Sequence, residues 1–319
     1  MWRSAYKITY PLHTSVMLHE AMELLSPTAG GLYVDATLGM GGYAEAILEL
    51  TGGEARVIGM DVDPDSIEAA RGRLSRWGEA VEYVAENFAR IEAVLADRGI
   101  ERVDGIVADL GISSYQLECG ERGFSFMRDE PLDMRMDPRL ERSAADLVNR
   151  STVEELCRII KRYGEERWAS RIAREIVRRR KEKPIETSLE LASLVSRAIP
   201  RKFHPRGIHP ATRTFQALRI EVNRELDNLR TFMATAPLLL RKGGRIVVVT
   251  FHSLEDRVVK RGFKRLASPC TCPPDLPVCV CNRKQVLRVL TPSPLTPGME
   301  ECMENRRARS AKLRAAERI

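Results

Sequence analysis

The chain has 319 residues, 44% of them hydrophobic and 30% charged, which is typical of a globular protein with one large or two ordinary domains. No apolar run approaches the ~20 residues that span a bilayer, and residues 1–12 lack the apolar core of a secretory signal, so we expect neither membrane insertion nor secretion, but a cytoplasmic protein. The net charge is +7, and residues 160–225 alone carry 17 Lys or Arg against 8 Glu. This segment indicates either a polyanionic partner or a solvated basic helix face.

Strands and helices alternate over the first third of the chain. The predicted strands are Leu32–Ala36, Arg56–Met60, Val81–Ala85 and Val103–Leu110. The predicted helices between them are Tyr43–Leu50, Pro64–Trp77 and Ile91–Arg98. Such alternation predicts a parallel sheet that is covered by helices on both faces.

Helical periodicity then replaces this alternation up to about residue 210. In the segment Glu165–Lys183, apolar residues such as Ile172 and Ile176 recur at four-residue spacing, with arginines between them. A second helix is predicted at Ser188–Ala198, followed by a basic loop at Pro200–Pro210. The candidates for contact with a polyanion are Arg171, Arg174, Arg178 and Lys202.

The α/β pattern returns in the last third of the chain. A helix after residue 214 is followed by the apolar strand Arg245–Phe251, the helix Leu254–Leu266 and the strand Val286–Leu290. The basic last sixteen residues either add nucleic-acid contacts or complete the sheet. We therefore predict a doubly wound α/β domain in two parts, residues 1–116 and 213–319, interrupted by a helical insertion at residues 117–212.

Three of the predicted strands end in an aspartate, namely Asp35, Asp61 and Asp109, and a glycine-rich turn with Gly39, Gly41 and Gly42 follows the first. The carboxyl ends of parallel strands form a crevice that binds cofactors containing adenosine. A pyrophosphate requires N–H groups without a nearby anion, whereas Asp35 and Glu45 flank this turn. The acids therefore favour a cationic cofactor, S-adenosyl-L-methionine.

A nicotinamide cofactor remains an alternative on spacing alone. Gly39, Gly41 and Ala44 satisfy G-x-G-x-x-A, and Asp61 stands 20 residues after Gly41. Under either cofactor we expect Asp61 to accept the ribose hydroxyls. Asp109 either closes the reactive side of the crevice or caps the segment that follows it.

Several long stretches resemble one known family, the bacterial ribosomal RNA small-subunit methyltransferase H family, also called MraW. They are His13–Leu18, Asp35–Gly42, Asp109–Ser114, Gly123–Asp137, His209–Leu226, Thr250–Lys260 and Arg307–Arg318. The resemblance implies a Rossmann-like class I S-adenosylmethionine methyltransferase sheet with an inserted all-helical domain. It also implies methylation of N4 of a cytidine in 16S ribosomal RNA, on the assembled small subunit, and no protein partner.

The resemblance also implies the cofactor contacts. They are Gly41, Gly42, Tyr43, Asp61, Phe88, Asp109 and Gln116. Two positions depart from the family pattern, which usually has His in place of Tyr43 and Pro after Asn305.

Cytosine N4 is a poor nucleophile, so an acceptor must remove one of its protons. Our hypothesis assigns this role to Asp109, assisted by Ser113 or Ser114, with Asp133 and His252 as second candidates. The aromatics Phe124, Phe126 and Tyr115 either stack on the extruded base or pack in the insertion. The competing functions are a nicotinamide-dependent oxidoreductase and a ribosome-assembly factor that has lost catalysis.

Four cysteines form the pattern C-x-C-x6-C-x-C at Cys270, Cys272, Cys279 and Cys281. Such thiols suit a tetrahedral zinc, but the spacing differs from the commoner C-x-x-C knuckle. Two disulfides or four free thiols are the alternatives, and the sequence alone assigns no metal.

Overall fold

We describe the protein from a computed structural model. The described residues are 15–112, 122–126, 128–205, 207–270, 272, 281, 284–305 and 307–319. Five residues singled out by the sequence, Ser113, Ser114, Tyr115, Gln116 and Cys279, lie outside these ranges.

A seven-stranded sheet organises the α/β part. Its strands, β1 to β7 in chain order, are Leu32–Asp35, Arg56–Met60, Val81–Val84, Val103–Asp109, Leu240–Thr250, Leu287–Val289 and Lys312–Arg318. The spatial order is β3-β2-β1-β4-β5-β7-β6. The first five strands pair in parallel, and β7 runs antiparallel between β5 and β6. The predicted α/β fold is therefore confirmed.

Helices cover both faces of this sheet. The helices in the described residues are Leu18–Leu25, Gly42–Leu50, Pro64–Leu74, Ile91–Ala96, Ala144–Arg150, Val153–Gly164, Ala169–Arg180, Ser188–Ala198, Thr212–Asn223, Glu225–Thr235, Ser253–Ala267 and Met299–Glu304, and those from Ala144–Arg150 to Thr212–Asn223 share a separate core. Successive strand residues point to opposite faces, so Tyr33 packs with Ile47 in one core and Val34 packs with Phe232 in the other. No helix within the described residues is both long and apolar enough to cross a membrane.

Strand β7 is the element that the sequence did not define. Its segment, K-L-R-A-A-E-R, is too charged for a buried strand on composition alone. Arg314 is nevertheless buried, because its guanidinium contacts Asp256, with Nε 2.6 Å from Oδ1. The basic end of the chain thus completes the sheet.

The helical insertion has its own hydrophobic core, built from residues such as Ile160, Ile172 and Leu191. Phe215 and Leu218 of helix Thr212–Asn223 belong to the same core. The predicted boundary after residue 212 assigns this helix to the α/β domain, but its buried side chains pack in the core of the insertion. The domain limits themselves stay a prediction.

Candidate active site

A cavity of about 610 Å³ opens at the carboxyl ends of the central strands, and we call it the strand-end cavity. The predicted site residues that line it are Gly39, Gly42, Tyr43, Asp61, Phe88 and Asp109. Arg219 and Asn223, from the helix packed with the insertion, form part of the opposite wall. The cavity therefore lies where the sheet meets the insertion.

The glycine-rich turn brings the backbone close to other elements. Gly41 has φ of 81°, precedes helix Gly42–Leu50, and would place a Cβ 2.8 Å from Leu74 Cδ1. A Cβ on Gly42 would lie 2.1 Å from the Ser15 hydroxyl. Gly41 does not line the strand-end cavity, so its glycine serves the turn and its packing.

Asp35 lies beneath this turn and is fully buried. Its Oδ1 accepts the Thr37 N–H at 3.3 Å, whereas Oδ2 has no hydrogen-bond partner among the described residues. Burial raises the pKa of Asp35 to about 7, and the charge of Asp61 adds to this. Asp35 does not line the cavity, so its effect on a bound cation is exerted through space.

Asp61 is at the cavity wall and is held by two backbone groups. Its Oδ2 accepts the Gly39 N–H at 2.8 Å, and its Oδ1 accepts the Asp63 N–H at 2.9 Å. Burial raises the pKa of Asp61 to about 6. Since each carboxylate oxygen has two lone pairs, both remain able to accept a hydroxyl.

The expectation that Glu45 faces the cofactor is wrong. Its carboxylate is buried against two arginines, with Arg73 Nε at 2.7 Å and Arg76 Nη2 at 3.0 Å. Because this pairing neutralises Glu45, the acids beside the glycine-rich turn that can act on the strand-end cavity are Asp35 and Asp61.

Asp109 ends β4, and its N–H donates to Thr37 Oγ1 at 2.6 Å. Its Oδ1 is buried without a hydrogen-bond partner among the described residues. Burial raises the pKa of Asp109 well above its ordinary range, with further contributions from Asp35 and Glu255. A cation in the cavity would lower this pKa and so favour the carboxylate.

Tyr43 occupies the position where the family usually has His. Its hydroxyl donates to the carbonyl of Val16, and the ring is buried. Tyr43 therefore closes the cavity wall by tying the segment before helix Leu18–Leu25 to the turn.

A polar cluster that sequence reasoning missed lies on the far wall of the cavity. Glu255 is buried and caps helix Ser253–Ala267, since Oε2 accepts the Phe251 N–H at 2.8 Å. Arg219 contacts both oxygens of Glu225, at 2.8 and 2.9 Å. The T-F-H-S-L-E-D-R and A-L-R-I-E-V-N-R-E stretches contain this cluster, but their spacing gave no sign that the two segments meet.

The second candidates for proton acceptance are held elsewhere. Asp133 contacts Arg135 through both oxygens, at 2.7 and 2.8 Å, and it does not line the cavity. His252 Nδ1 accepts the Glu255 N–H at 3.4 Å, and Nε2 lies 3.1 Å from Glu255 Oε1. Both side chains therefore have structural partners.

Two of the aromatics proposed for base stacking, Phe124 and Phe126, pack inside the insertion. Phe124 is buried there, and Phe126 stacks on His209 with ring centroids 4.7 Å apart. By contrast, Phe88 lines the cavity and meets Phe232 edge-on at 5.4 Å.

The basic residues predicted for RNA lie on the surface. Arg171, Arg174 and Arg178 are exposed on helix Ala169–Arg180. Arg178 pairs with Glu175, and Lys202 lies over the ring of Phe203 at 5.1 Å. None of these four residues lines the strand-end cavity.

The strand order, the reversed β7 and a cavity at the strand ends that is lined by Asp61 and Asp109 define a Rossmann-like fold of the methyltransferase type. The chain belongs to the MraW methylase family, whose model matches residues 11–319.

Relatives of similar length share about half of the sequence. Proteins named "Ribosomal RNA small subunit methyltransferase H" from Trichlorobacter lovleyi and Geobacter sulfurreducens are 52% and 54% identical, over 96% of this chain and 98% and 99% of theirs. A solved rRNA methylase from Streptococcus thermophilus aligns over 95% of this chain and 93% of its own, with 13% identity and a TM-score of 0.37. A similarity that low adds nothing to the family assignment.

Proposed function

We propose that the protein transfers a methyl group from S-adenosyl-L-methionine to N4 of a cytidine in 16S ribosomal RNA of the small subunit. The observation that carries the proposal is Asp109, a half-buried side chain at the wall of the strand-end cavity whose Oδ1 is buried and has no hydrogen-bond partner among the described residues. The names of the half-identical relatives support the RNA substrate.

The cavity residues fit a cationic nucleoside cofactor. Asp61 suits the ribose hydroxyls, Phe88 suits the adenine, and the turn supplies backbone groups at Gly39 and Gly42. Burial raises the pKa values of Asp35 and Asp109, nearby carboxylates add to this, and a sulfonium and an ammonium would supply the compensating positive charge. Gly41, Tyr43 and Gln116 complete the proposed set.

The same geometry disfavours a dinucleotide. The Gly39 N–H, which would face a pyrophosphate in a dinucleotide site, already donates to Asp61 at 2.8 Å. A pyrophosphate at this turn would therefore meet carboxylates in place of free N–H groups.

When bound, S-adenosylmethionine supplies an electrophilic methyl group on sulfur. Asp109 accepts the proton that N4 loses as the new N–C bond forms and the S–C bond breaks, and it later returns this proton to solvent. Thr37 holds the main chain of Asp109 in place. Ser113 or Ser114 assists by hydrogen bonding to the amine, and alignment of donor and acceptor contributes most of the remaining barrier reduction.

The RNA is recognised by the insertion in this proposal. Arg171, Arg174, Arg178 and Lys202 contact ribosomal RNA phosphates away from the target base, and the cytidine leaves its stack to enter the cavity.

A methyl-transfer assay tests the proposal. Small subunits from a strain lacking this activity should gain one methyl group, on a cytidine amine, when incubated with the protein and S-adenosylmethionine. Calorimetry with S-adenosylmethionine and NAD tests the cofactor separately. Binding of NAD alone would support the oxidoreductase, and particle binding without methyl transfer would support the assembly factor.

A further inference from the structure

Three cysteine thiols converge between helix Ser253–Ala267 and β6, and we call Cys270, Cys272 and Cys281 the thiol cluster. Their sulfur atoms all lie within 4.8 Å of one another. The Sγ atoms of Cys270 and Cys281 are 3.7 Å apart, although eleven residues separate them in sequence. The Cys272 N–H also points at Cys270 Sγ, at 3.3 Å.

The 3.7 Å between the Sγ atoms of Cys270 and Cys281 matches the separation expected around a tetrahedral metal. Zinc–thiolate bonds of about 2.3 Å in a tetrahedron place the sulfur atoms about 3.8 Å apart. A disulfide requires about 2.05 Å, so the chain brings the thiols together at the spacing of metal ligands.

We propose that Cys270, Cys272 and Cys281 bind a structural zinc ion. Cys279, the remaining thiol of the sequence pattern, lies outside the described residues, and its role as a fourth ligand is decided by the experiment below. None of the three thiols lines the strand-end cavity, so the metal would act on the fold and not on methyl transfer. It would fasten the end of helix Ser253–Ala267 to β6, an edge strand of only three residues.

The test is metal analysis of the full chain, purified without chelator and under reducing conditions. We expect one zinc per chain, and cobalt in its place should show thiolate charge-transfer absorption. Cys272→Ser and Cys281→Ser should each lose the metal and lower the midpoint of thermal unfolding. The matched controls Cys157→Ser and Cys302→Ser should retain the metal and the wild-type midpoint of unfolding. Loss of the metal in Cys279→Ser would identify Cys279 as the fourth ligand.

Two results would overturn this proposal. One is a reduced wild-type chain that takes up no zinc from a micromolar solution. The other is a disulfide within the cluster, found by mass spectrometry of the unreduced chain. Neither result bears on the proposed methylation.

A second observation concerns the path of the RNA. A separate cleft of about 530 Å³, the basic cleft, lies against the insertion. Its charged lining residues are Arg139, Arg142, Arg158, Arg162, Arg224, Glu141, Glu221 and Asp227. Leu140 and Arg224 line both this cleft and the strand-end cavity, so the two are adjacent.

Three of its arginines carry charge that is available to a ligand. Arg158, Arg162 and Arg224 are exposed, and none has an ion pair within the described part of the chain. Arg139 and Arg142 differ, because Arg139 pairs with Asp137 and Arg142 donates to Ser151. The cleft therefore offers unneutralised guanidinium groups beside the cavity that would receive the base.

We infer that the basic cleft binds the phosphates that flank the target cytidine in single-stranded RNA, an inference that rests on the proposed function. The Arg158→Ala/Arg162→Ala variant should raise KM for small subunits about tenfold or more with kcat nearly unchanged. It should also reduce the slope of log affinity against log salt by about 1.4, the value for two lost single-strand contacts. The control Arg261→Ala/Lys264→Ala removes two exposed charges on helix Ser253–Ala267 and should change neither.

An unchanged KM and salt slope in the Arg158/Arg162 variant would overturn this inference. If the wild-type chain showed no methylation, that result would contradict the proposed function but would leave the inference about the basic cleft to be tested separately. Binding to small subunits, measured with the same variant and control, would then provide the test of the cleft.

Discussion

Two carboxylate oxygens, Oδ2 of Asp35 and Oδ1 of Asp109, are buried and accept no hydrogen bond from the described residues. Leaving such an atom unsatisfied costs about 1–3 kcal/mol. Because two such oxygens lie near one cavity, the cavity suits a ligand that supplies the missing positive charge or hydrogen-bond donor. This is the residue-scale basis for both a cationic cofactor and a proton acceptor.

Replacing Asp109 by Asn removes the proton acceptor and preserves the shape of the side chain. We expect kcat to fall by about 10²–10⁴, with binding of S-adenosylmethionine changed only a few-fold. In the wild type, kcat should rise with pH as the carboxyl loses its proton, because burial raises the pKa of Asp109. Asp133→Asn, which breaks only the pair with Arg135, should retain turnover. Near-normal turnover of Asp109→Asn would remove this residue from the mechanism.

The sign of proton exchange on cofactor binding distinguishes the two cofactor classes. A cation lowers the pKa values of Asp35 and Asp61, which are about 7 and about 6 in the unliganded chain. Binding should therefore release protons and strengthen as the pH rises through that interval. An anionic dinucleotide would instead raise both pKa values and cause proton uptake.

Calorimetry in buffers of different ionisation enthalpy measures this exchange directly. We expect net proton release when S-adenosylmethionine binds. The Asp35→Asn variant should lose the part of this release that occurs near pH 7. Proton uptake on binding would contradict the cationic assignment.

At the scale of single elements, the most buried ion pair of β7 joins Arg314 to Asp256, which Lys312 Nζ also approaches at 3.6 Å. Arg314 and Asp256 expose only 6% and 14% of their side chains, so removing one partner leaves a charge that water cannot fully solvate. Arg314→Met should lower the free energy of unfolding by about 3 kcal/mol. Arg314→Met/Asp256→Leu should recover most of this loss, because the only charge that then lacks its partner is Lys312, which water can solvate since its side chain is 39% exposed. Urea unfolding measures both, and equal destabilisation by the single and double variants would argue against the pair.

Across the whole molecule, aspartates lie at the strand ends of the cavity, whereas the arginines of helix Ala169–Arg180 lie on the surface. The Arg171→Ala/Arg174→Ala variant should bind small subunits more weakly and with a smaller salt dependence, since counterion release scales with phosphate contacts. Binding of S-adenosylmethionine should not change. Filter binding at several salt concentrations provides the measurement, with Arg261→Ala/Lys264→Ala as the control. Wild-type affinity that stays constant from low to moderate salt would contradict this role for the helix.

The sequence by itself determined the parallel strands, the helical interruption and the location of the cofactor crevice. These follow from local signals: apolar runs of strand length, helical periodicity, and an aspartate directly after Val34, Met60 and Ala108. The carboxyl ends of neighbouring parallel strands meet at one edge of a sheet, so these three acids could be placed together without coordinates.

Only the tertiary structure decided how the charges pair. Glu45 is neutralised by Arg73 and Arg76, β7 is buried because Arg314 meets Asp256, and two distant segments bring Arg219 and Glu255 to one wall. Each of these outcomes depends on a partner many residues away. A residue's own sequence neighbours set its secondary structure, but the charge and burial of a side chain depend on what packs against it.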